Sequence, residues 1–100
     1  MVILAGVFTM DPGQRDAYLA SRMELMRVSR AEKGCIEYTF AADPLDSGRV
    51  VLFEKWESQE DLDAHLAAIP APSASSAPPI EPTSSSIVIY DVTGERPLRR

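Results

Sequence analysis

The stretch Val50-Val51-Leu52-Phe53-Glu54-Lys55-Trp56-Glu57-Ser58-Gln59-Glu60-Asp61-Leu62-Asp63-Ala64-His65 decides how this chain folds. A run rich in β-branched and aromatic residues ends at Trp56. Ser58, followed three residues later by Asp61, then forms a near capping box, so a strand passes directly into a helix with a defined start. The two-residue repeat of a strand sends Leu52, Glu54 and Trp56 to one face of a sheet and Val51, Phe53 and Lys55 to the other. A carboxylate therefore stands beside the only tryptophan, and the only histidine, His65, follows two turns into the helix.

Working outward, Val2 to Met10 is a nearly unbroken apolar run, as expected of a strand covered on both faces. Asp11 is a good N-cap and Pro12 a favoured first helical residue. The stretch to Arg30 places Tyr18, Leu19, Met23, Leu25 and Met26 on one apolar stripe, which predicts a single amphipathic helix. Arg27, Arg30 and Lys33 suit its C-terminal end, and Gly34 is the natural left-handed terminator. Cys35 to Ala42 alternates Ile36, Tyr38 and Phe40 against Cys35, Glu37 and Thr39. Asp43 to Gly48 reads as a hairpin loop, with Arg49 to Glu57 as the return strand. The second helix is predicted from about Gln59 to Ala68, stopping before Pro70, with Leu62, Leu66 and Ile69 marking its buried stripe. Residues 70–86 are almost exclusively Pro, Ala and Ser and predict an irregular connection. Ser86 to Val92 is the last strand, and 94–100 form a tail.

The order β-α-β-β-α-β predicts one α+β domain over residues 1–100, ferredoxin-like, with an antiparallel sheet. Its strands carry apolar residues on both faces, whereas two helices cover only one. The uncovered face calls for a partner, and a homodimer stacking sheet on sheet is the simplest arrangement.

Composition narrows the function. The chain of 100 residues has 10 Lys and Arg against 15 Asp and Glu, a net charge of −5. Without a basic stripe to displace phosphate counterions, nucleic acid is not an expected partner. No apolar run approaches the roughly 20 residues that span a bilayer, and Asp11-Pro12-Gly13 stands where a leader cleavage site would fall. No membrane partner and a cytoplasmic location are the expectations. Cys35 is the single cysteine, so neither an internal disulfide nor a metal site built from one chain is expected.

The Glu54, Trp56 and His65 spacing, together with the order of elements over residues 2–69 and the closing strand Ile87 to Val92, resembles the antibiotic biosynthesis monooxygenase family of the dimeric α+β barrel class. The resemblance implies a homodimeric oxygenase that oxidises a small electron-rich aromatic, such as a quinol, anthrone or polyketide, with O2 and without metal or flavin cofactor. Haem-degrading relatives carry an asparagine on the first strand, where this chain has Gly6, which disfavours haem breakdown here.

Such chemistry needs an apolar cavity, a base and groups that hold the resulting anion. Trp56 would wall the cavity and donate its indole N–H to a substrate oxygen; as a lone Trp on an apolar strand it is equally suited to the core. His65 titrates nearest neutrality and is the first candidate base, with a structural bond at the edge of the helix stripe as the alternative. Glu54, flanked by Leu52 and Trp56, must be paired, solvated or shifted in pKa, and an intersubunit bridge to Arg49 would also satisfy it. Tyr38, Leu52, Met23 and Met26 are the candidate substrate-lining residues, although an aromatic cross-strand contact and methionine core filler account for Tyr38 and the methionines as well. An isomerase or other proton-transfer enzyme using the same pocket, or a non-catalytic ligand-binding barrel, are the competing readings.

Overall fold

Four strands form one antiparallel sheet in the order β2-β3-β1-β4, with β1 at Val2–Thr9, β2 at Cys35–Ala42, β3 at Arg49–Trp56 and β4 at Ser84–Asp91. The computed structural model describes residues 1–69 and 80–99, so residues 70–79 of the predicted irregular connection lie outside the described residues. Helices α1 (Arg15–Ser21), α2 (Met23–Arg30) and α3 (Gln59–Ala68) lie on one face of the sheet, α1 and α2 over β2 and α3 over β3. This is the α+β ferredoxin-like fold that the alternation predicted. Among the described residues no helix is long and apolar enough to cross a membrane.

Register fixes which side chains meet. Leu4 pairs with Glu54, Gly6 with Leu52 and Val2 with Trp56, while Tyr38 faces Glu54 from β2. Because neighbours across a ladder point the same way, these residues share the helix-covered face. That face holds the core: Val2, Leu4, Phe8, Tyr38, Phe40, Leu52 and Trp56 are buried, sealed by Tyr18, Met26 and Leu62 from the helices. On the other face Phe53, Val88 and Tyr90 are exposed in the single chain.

Three details depart from the sequence reading. The first helix is a one-turn 3-10 segment at Pro12–Gln14 and two α-helices that break at Arg22. The Ser21 hydroxyl donates back to the Tyr18 carbonyl at 2.5 Å, and the Arg22 N–H closes a tight bond to the Leu19 carbonyl. Such back-bonding bends a helix. In β2 a bulge between Cys35 and Glu37 turns Ile36 outward to solvent, so it does not share the face of Tyr38 and Phe40. The last strand starts at Ser84, because backbone pairing of Ser84, Ser85 and Ser86 to β1 requires no apolar side chain.

The turn after α2 is held by the start of α3. Ser58 caps α3 by accepting from the Asp61 N–H at 3.1 Å, and the Glu57 N–H bonds the Gly34 carbonyl at 2.8 Å. Gly34 has φ 81°, and a Cβ there would fall on the Asp61 carboxyl. Gly34→Ala should therefore lose more than the roughly 1–2 kcal/mol of left-handed strain alone. Urea unfolding measures this: Asp61→Ala in the Gly34→Ala background should recover only the carboxyl's share of the overlap, since the Cβ of residue 61 would still lie 2.7 Å away, and none of the strain. A wild-type midpoint for Gly34→Ala would mean that the turn is not docked in this way.

Candidate functional site

Where β3 meets α3, four buried side chains converge from three elements. Trp56, Tyr38, His65 and Glu54 are 0%, 2%, 2% and 3% exposed. The His65 ring centroid lies 4.8 Å from that of Trp56 and 5.2 Å from that of Tyr38. The imidazole thus sits in an angle between an indole and a phenol, above the strand that carries Glu54.

Helix phase explains why His65 lies inside. Successive residues turn by about 100°, so His65 lies about 60° to one side of Leu62 and Leu66 about 40° to the other. The buried arc falls between Leu62 and His65, leaving Leu66 exposed at 48%, while Ile69, at 39%, stands past the last helical residue as the C-cap. Of the expected stripe of Leu62, Leu66 and Ile69, only Leu62 is buried, and His65 joins it.

The hydrogen bonds assign different duties from those expected. The indole N–H of Trp56 donates to Glu54 Oε1 at 3.0 Å, so it is committed to the neighbouring carboxyl instead of standing free for a substrate. His65 Nδ1 lies 2.6 Å from Glu32 Oε1, and His65 Nε2 lies 3.9 Å from Glu54 Oε1, beyond hydrogen-bond reach. Nε2 is buried and, like the hydroxyl of Ser29 on α2, has no partner among the described residues. Glu32 was not singled out from sequence. It is one of many carboxylates, 33 residues from its histidine, and its only advance sign is a position in the turn that Gly34 closes.

Burial raises the pKa of Glu54, opposed by the Trp56 hydrogen bond and by His65. Burial also raises that of Tyr38, reinforced by the Glu54 charge and partly offset by the nearby Ser29 hydroxyl, so Tyr38 is a neutral phenol. The Cys35 thiol is pushed up by partial burial and then by Glu32, Glu54 and Glu37, which makes it a poor nucleophile. Among the described residues no group of three His, Cys, Asp or Glu is placed to hold a metal ion.

The other candidates separate. Met26 is buried with its sulfur accepting the Phe40 N–H at 3.4 Å, and one turn on Arg30 Nε donates to the Tyr38 carbonyl at 2.9 Å, so together they cover the β2 edge. Met23 is 54% exposed at the start of α2, just past the break at Arg22, and lines neither cleft that reaches His65, which corrects its expected place in the pocket. Leu52 is buried against Gly6, where a Cβ would come within 3.3 Å of its own. Arg49 pairs with Asp43 at 2.8 Å, which removes it as the expected partner of Glu54.

Two clefts reach His65. One of about 500 Å³ is solvent-open and polar, bounded by Glu32, Lys33, Ser58 and Asp61. The other, about 60 Å³, lies between α2 and α3 under Leu25, Val28, Ser29, Ala68 and Ile69. Neither includes Trp56, Tyr38 or Leu52, which stand behind the imidazole.

The chain matches the antibiotic biosynthesis monooxygenase family over residues 1–69. An uncharacterized protein of Synechocystis, sll1783, is 30% identical over 65 residues, 65% of this chain but only 44% of that longer protein. Among solved structures, a Deinococcus radiodurans protein put forward as an antibiotic biosynthesis monooxygenase superposes with TM-score 0.75 at 18% identity, covering all of both chains. The haem-degrader MhuD of Mycobacterium tuberculosis, with two haems bound, superposes with TM-score 0.74 at 17% identity, covering 97% of this chain and 100% of its own. At such identities these two establish a shared fold.

The buried carboxyl has a measurable signature. With its folded pKa raised, Glu54 holds a proton in the native chain over a range where the unfolded chain has released it. Stability therefore falls as pH rises from the ordinary glutamate value through the raised one. Glu54→Gln keeps an acceptor for the indole and should flatten the fall in thermal midpoint between pH 5 and pH 8. Trp56→Phe should cost about 1–3 kcal/mol at a pH high enough to ionise Glu54, which then loses its donor, and less at low pH. Parallel pH profiles for all three chains would show that Glu54 does not titrate with folding.

Proposed function

This chain belongs to the antibiotic biosynthesis monooxygenase family, and we propose from that premise that it is a small-molecule monooxygenase. On this reading it oxidises an uncharged electron-rich aromatic, a quinol or an anthrone, with O2 and no cofactor of its own. The observation that carries the reading is the buried, unpartnered Nε2 of His65, 3.9 Å from a carboxyl with a raised pKa. A buried polar atom without a partner is uncommon, and here it is a base aimed at the place where a substrate hydroxyl or acidic C–H would bring its proton.

His65 Nε2 accepts that proton as the substrate bond to hydrogen breaks. Glu54, whose pKa burial raises, would donate a hydrogen bond to the oxyanion when it carries its proton, with its other oxygen held by Trp56. Electron transfer from the carbanion or phenolate to O2 and recombination give a substrate peroxide. His65 would return its proton to the peroxide, take the remaining C–H proton as the O–O bond breaks, and pass it to the leaving hydroxide, so that a ring CH2 and O2 become C=O and H2O. The protein supplies dryness, orientation and proton placement.

The pocket between α2 and α3 must widen for this. Its 60 Å³ is the space of about two waters, well short of a ligand cavity. Its rim of Val28 and Ile69, 53% and 39% exposed, is apolar and suits an aromatic guest. The exposed face of Phe53, Val88 and Tyr90 supports a second part of the reading, a homodimer packed through the helix-free side of the sheet. A proton-transfer enzyme is the second reading, favoured by the pairing of two proton-binding groups, His65 and Glu54, at one point.

Oxygen uptake with a panel of anthrones and naphthoquinols tests the first reading. One O2 should be consumed per substrate, falling about 10²–10⁴-fold in His65→Ala. Exchange of substrate protons with D2O in the absence of oxygen uptake would instead establish the proton-transfer enzyme, and neither signal would leave a binding module. Sedimentation at micromolar concentration should give a dimer that Phe53→Glu converts to monomer; a wild-type monomer would overturn the assembly.

A further inference from the structure

Glu32 lies where the two clefts meet. It follows α2 in a tight turn in which Glu32 N–H bonds the Ser29 carbonyl at 3.0 Å and Cys35 N–H bonds the Glu32 carbonyl at 3.2 Å. Gly34, packed on Asp61, fixes that turn against α3. Glu32 and His65 together line both the polar cleft and the narrow pocket, and their side chains are 25% and 1% exposed. Among the described residues the Glu32 carboxylate is therefore the only group bonded to the imidazole, and its side chain is partly open to solvent.

The distance settles where the proton sits. At 2.6 Å a ring nitrogen and a carboxyl oxygen must have a proton between them, since two lone pairs would repel. A carboxylate oxygen can only accept and the ring nitrogen can donate, so the contact is an Nδ1–H bond to Glu32 Oε1, and Nε2, with no partner among the described residues, is the bare nitrogen of the ring. The other groups around the ring do not compete: Trp56 and Tyr38 present ring faces and edges, Glu54 is too distant to bond, and the Ser29 hydroxyl has no partner. Lys33 and Asp61 remain in the outer cleft.

We propose that Glu32 is the positioning residue of this site: its carboxylate fixes His65 in the Nδ1–H tautomer, turns Nε2 inward as the base, and carries the counter-charge while the ring is protonated. The role rests on the monooxygenase reading only for its kinetic consequence, because the tautomer is a property of the resting protein. When Nε2 takes the substrate proton, the imidazolium keeps both N–H bonds, one toward Glu32, and Glu32 remains a carboxylate throughout. The proton then returns through Nε2 to the peroxide, and Nδ1 never exchanges partners.

His65 is the only histidine, so a ¹⁵N spectrum of the whole chain shows one imidazole and its tautomer without assignment. The wild type should show Nδ1 protonated and Nε2 bare. Glu32→Gln, whose amide can face Nδ1 with either its oxygen or its NH2, should give mixed tautomers, and Glu32→Asp should restore part of the wild-type signal. On whichever anthrone or quinol the wild type oxidises, Glu32→Gln should lower kcat at least about 10²-fold with KM within about twofold, and Glu32→Asp should recover part of the loss. Circular dichroism identifies any variant that fails to fold, and the wild-type spectrum decides independently of the variants. An Nε2–H tautomer in the wild type, or wild-type tautomer and kcat in folded Glu32→Gln, would overturn the proposal. Should the wild type consume no oxygen while the tautomer shifts as expected, the monooxygenase reading fails and the positioning by Glu32 stands.

Discussion

The structure turns on one carboxyl group. Glu54 projects from the centre of the sheet into the helix-covered core, where an ionised carboxylate without partners would be costly. The surrounding residues answer that cost separately. Trp56, two residues along the same face, supplies an N–H; His65 comes from the next helix with a ring nitrogen close enough to lower the charge cost; and burial keeps the acid form available. The strand-to-helix transition at Ser58 brings these groups together, since β3 sets Glu54 and Trp56 on one face and the capped start of α3 sets the phase of His65. A shift of one residue in the cap would rotate His65 by about 100° and leave the carboxyl facing hydrocarbon.

A second carboxylate is held at a distance by the same imidazole. Glu32 and Glu54 approach opposite ring nitrogens, yet at 2.6 and 3.9 Å only the first is bonded. The asymmetry follows from solvent. Glu32 keeps a quarter of its side chain exposed and remains hydrated, whereas the core sets Glu54 apart. One side of the ring is thus open to solvent and the other buried and dry, with His65 as the boundary between them.

Much of this was legible in the chain. Alternation in β3, the Ser58 cap and the apolar β1 run depend on local chemistry, and each predicted its element and its face. Glu54, Trp56 and His65 were identifiable because a sole Trp, a sole His and an acid on an apolar face are conspicuous. What escaped depends on contacts between distant residues. Glu32 is unremarkable until a turn docks it on a helix 33 positions away, and the commitment of the Trp56 N–H to Glu54 is a matter of rotamer. The break at Arg22 came from one serine hydroxyl that turned to its own backbone, and that break, just before exposed Met23, is invisible to a 3.6-residue repeat. The bulge at Ile36 likewise shifts one residue without altering the apolar pattern on either side.

Dryness joins these features to chemistry. A bare imidazole nitrogen in water is already hydrogen-bonded, and a carboxyl in water releases its proton more readily than a buried one; buried Trp56, Tyr38 and Leu62 keep solvent from both groups here. An anion formed beside them would meet a ready hydrogen-bond donor and a freshly protonated ring instead of reorganising water, which is the condition under which fixed dipoles contribute most. On the proposed reading the same condition bears on substrates: a guest carrying a carboxylate or phosphate would bring its charge toward Glu32 and Glu54 past a single cleft cation, Lys33, whereas an uncharged phenol or anthrone would acquire charge only on transferring a proton to His65.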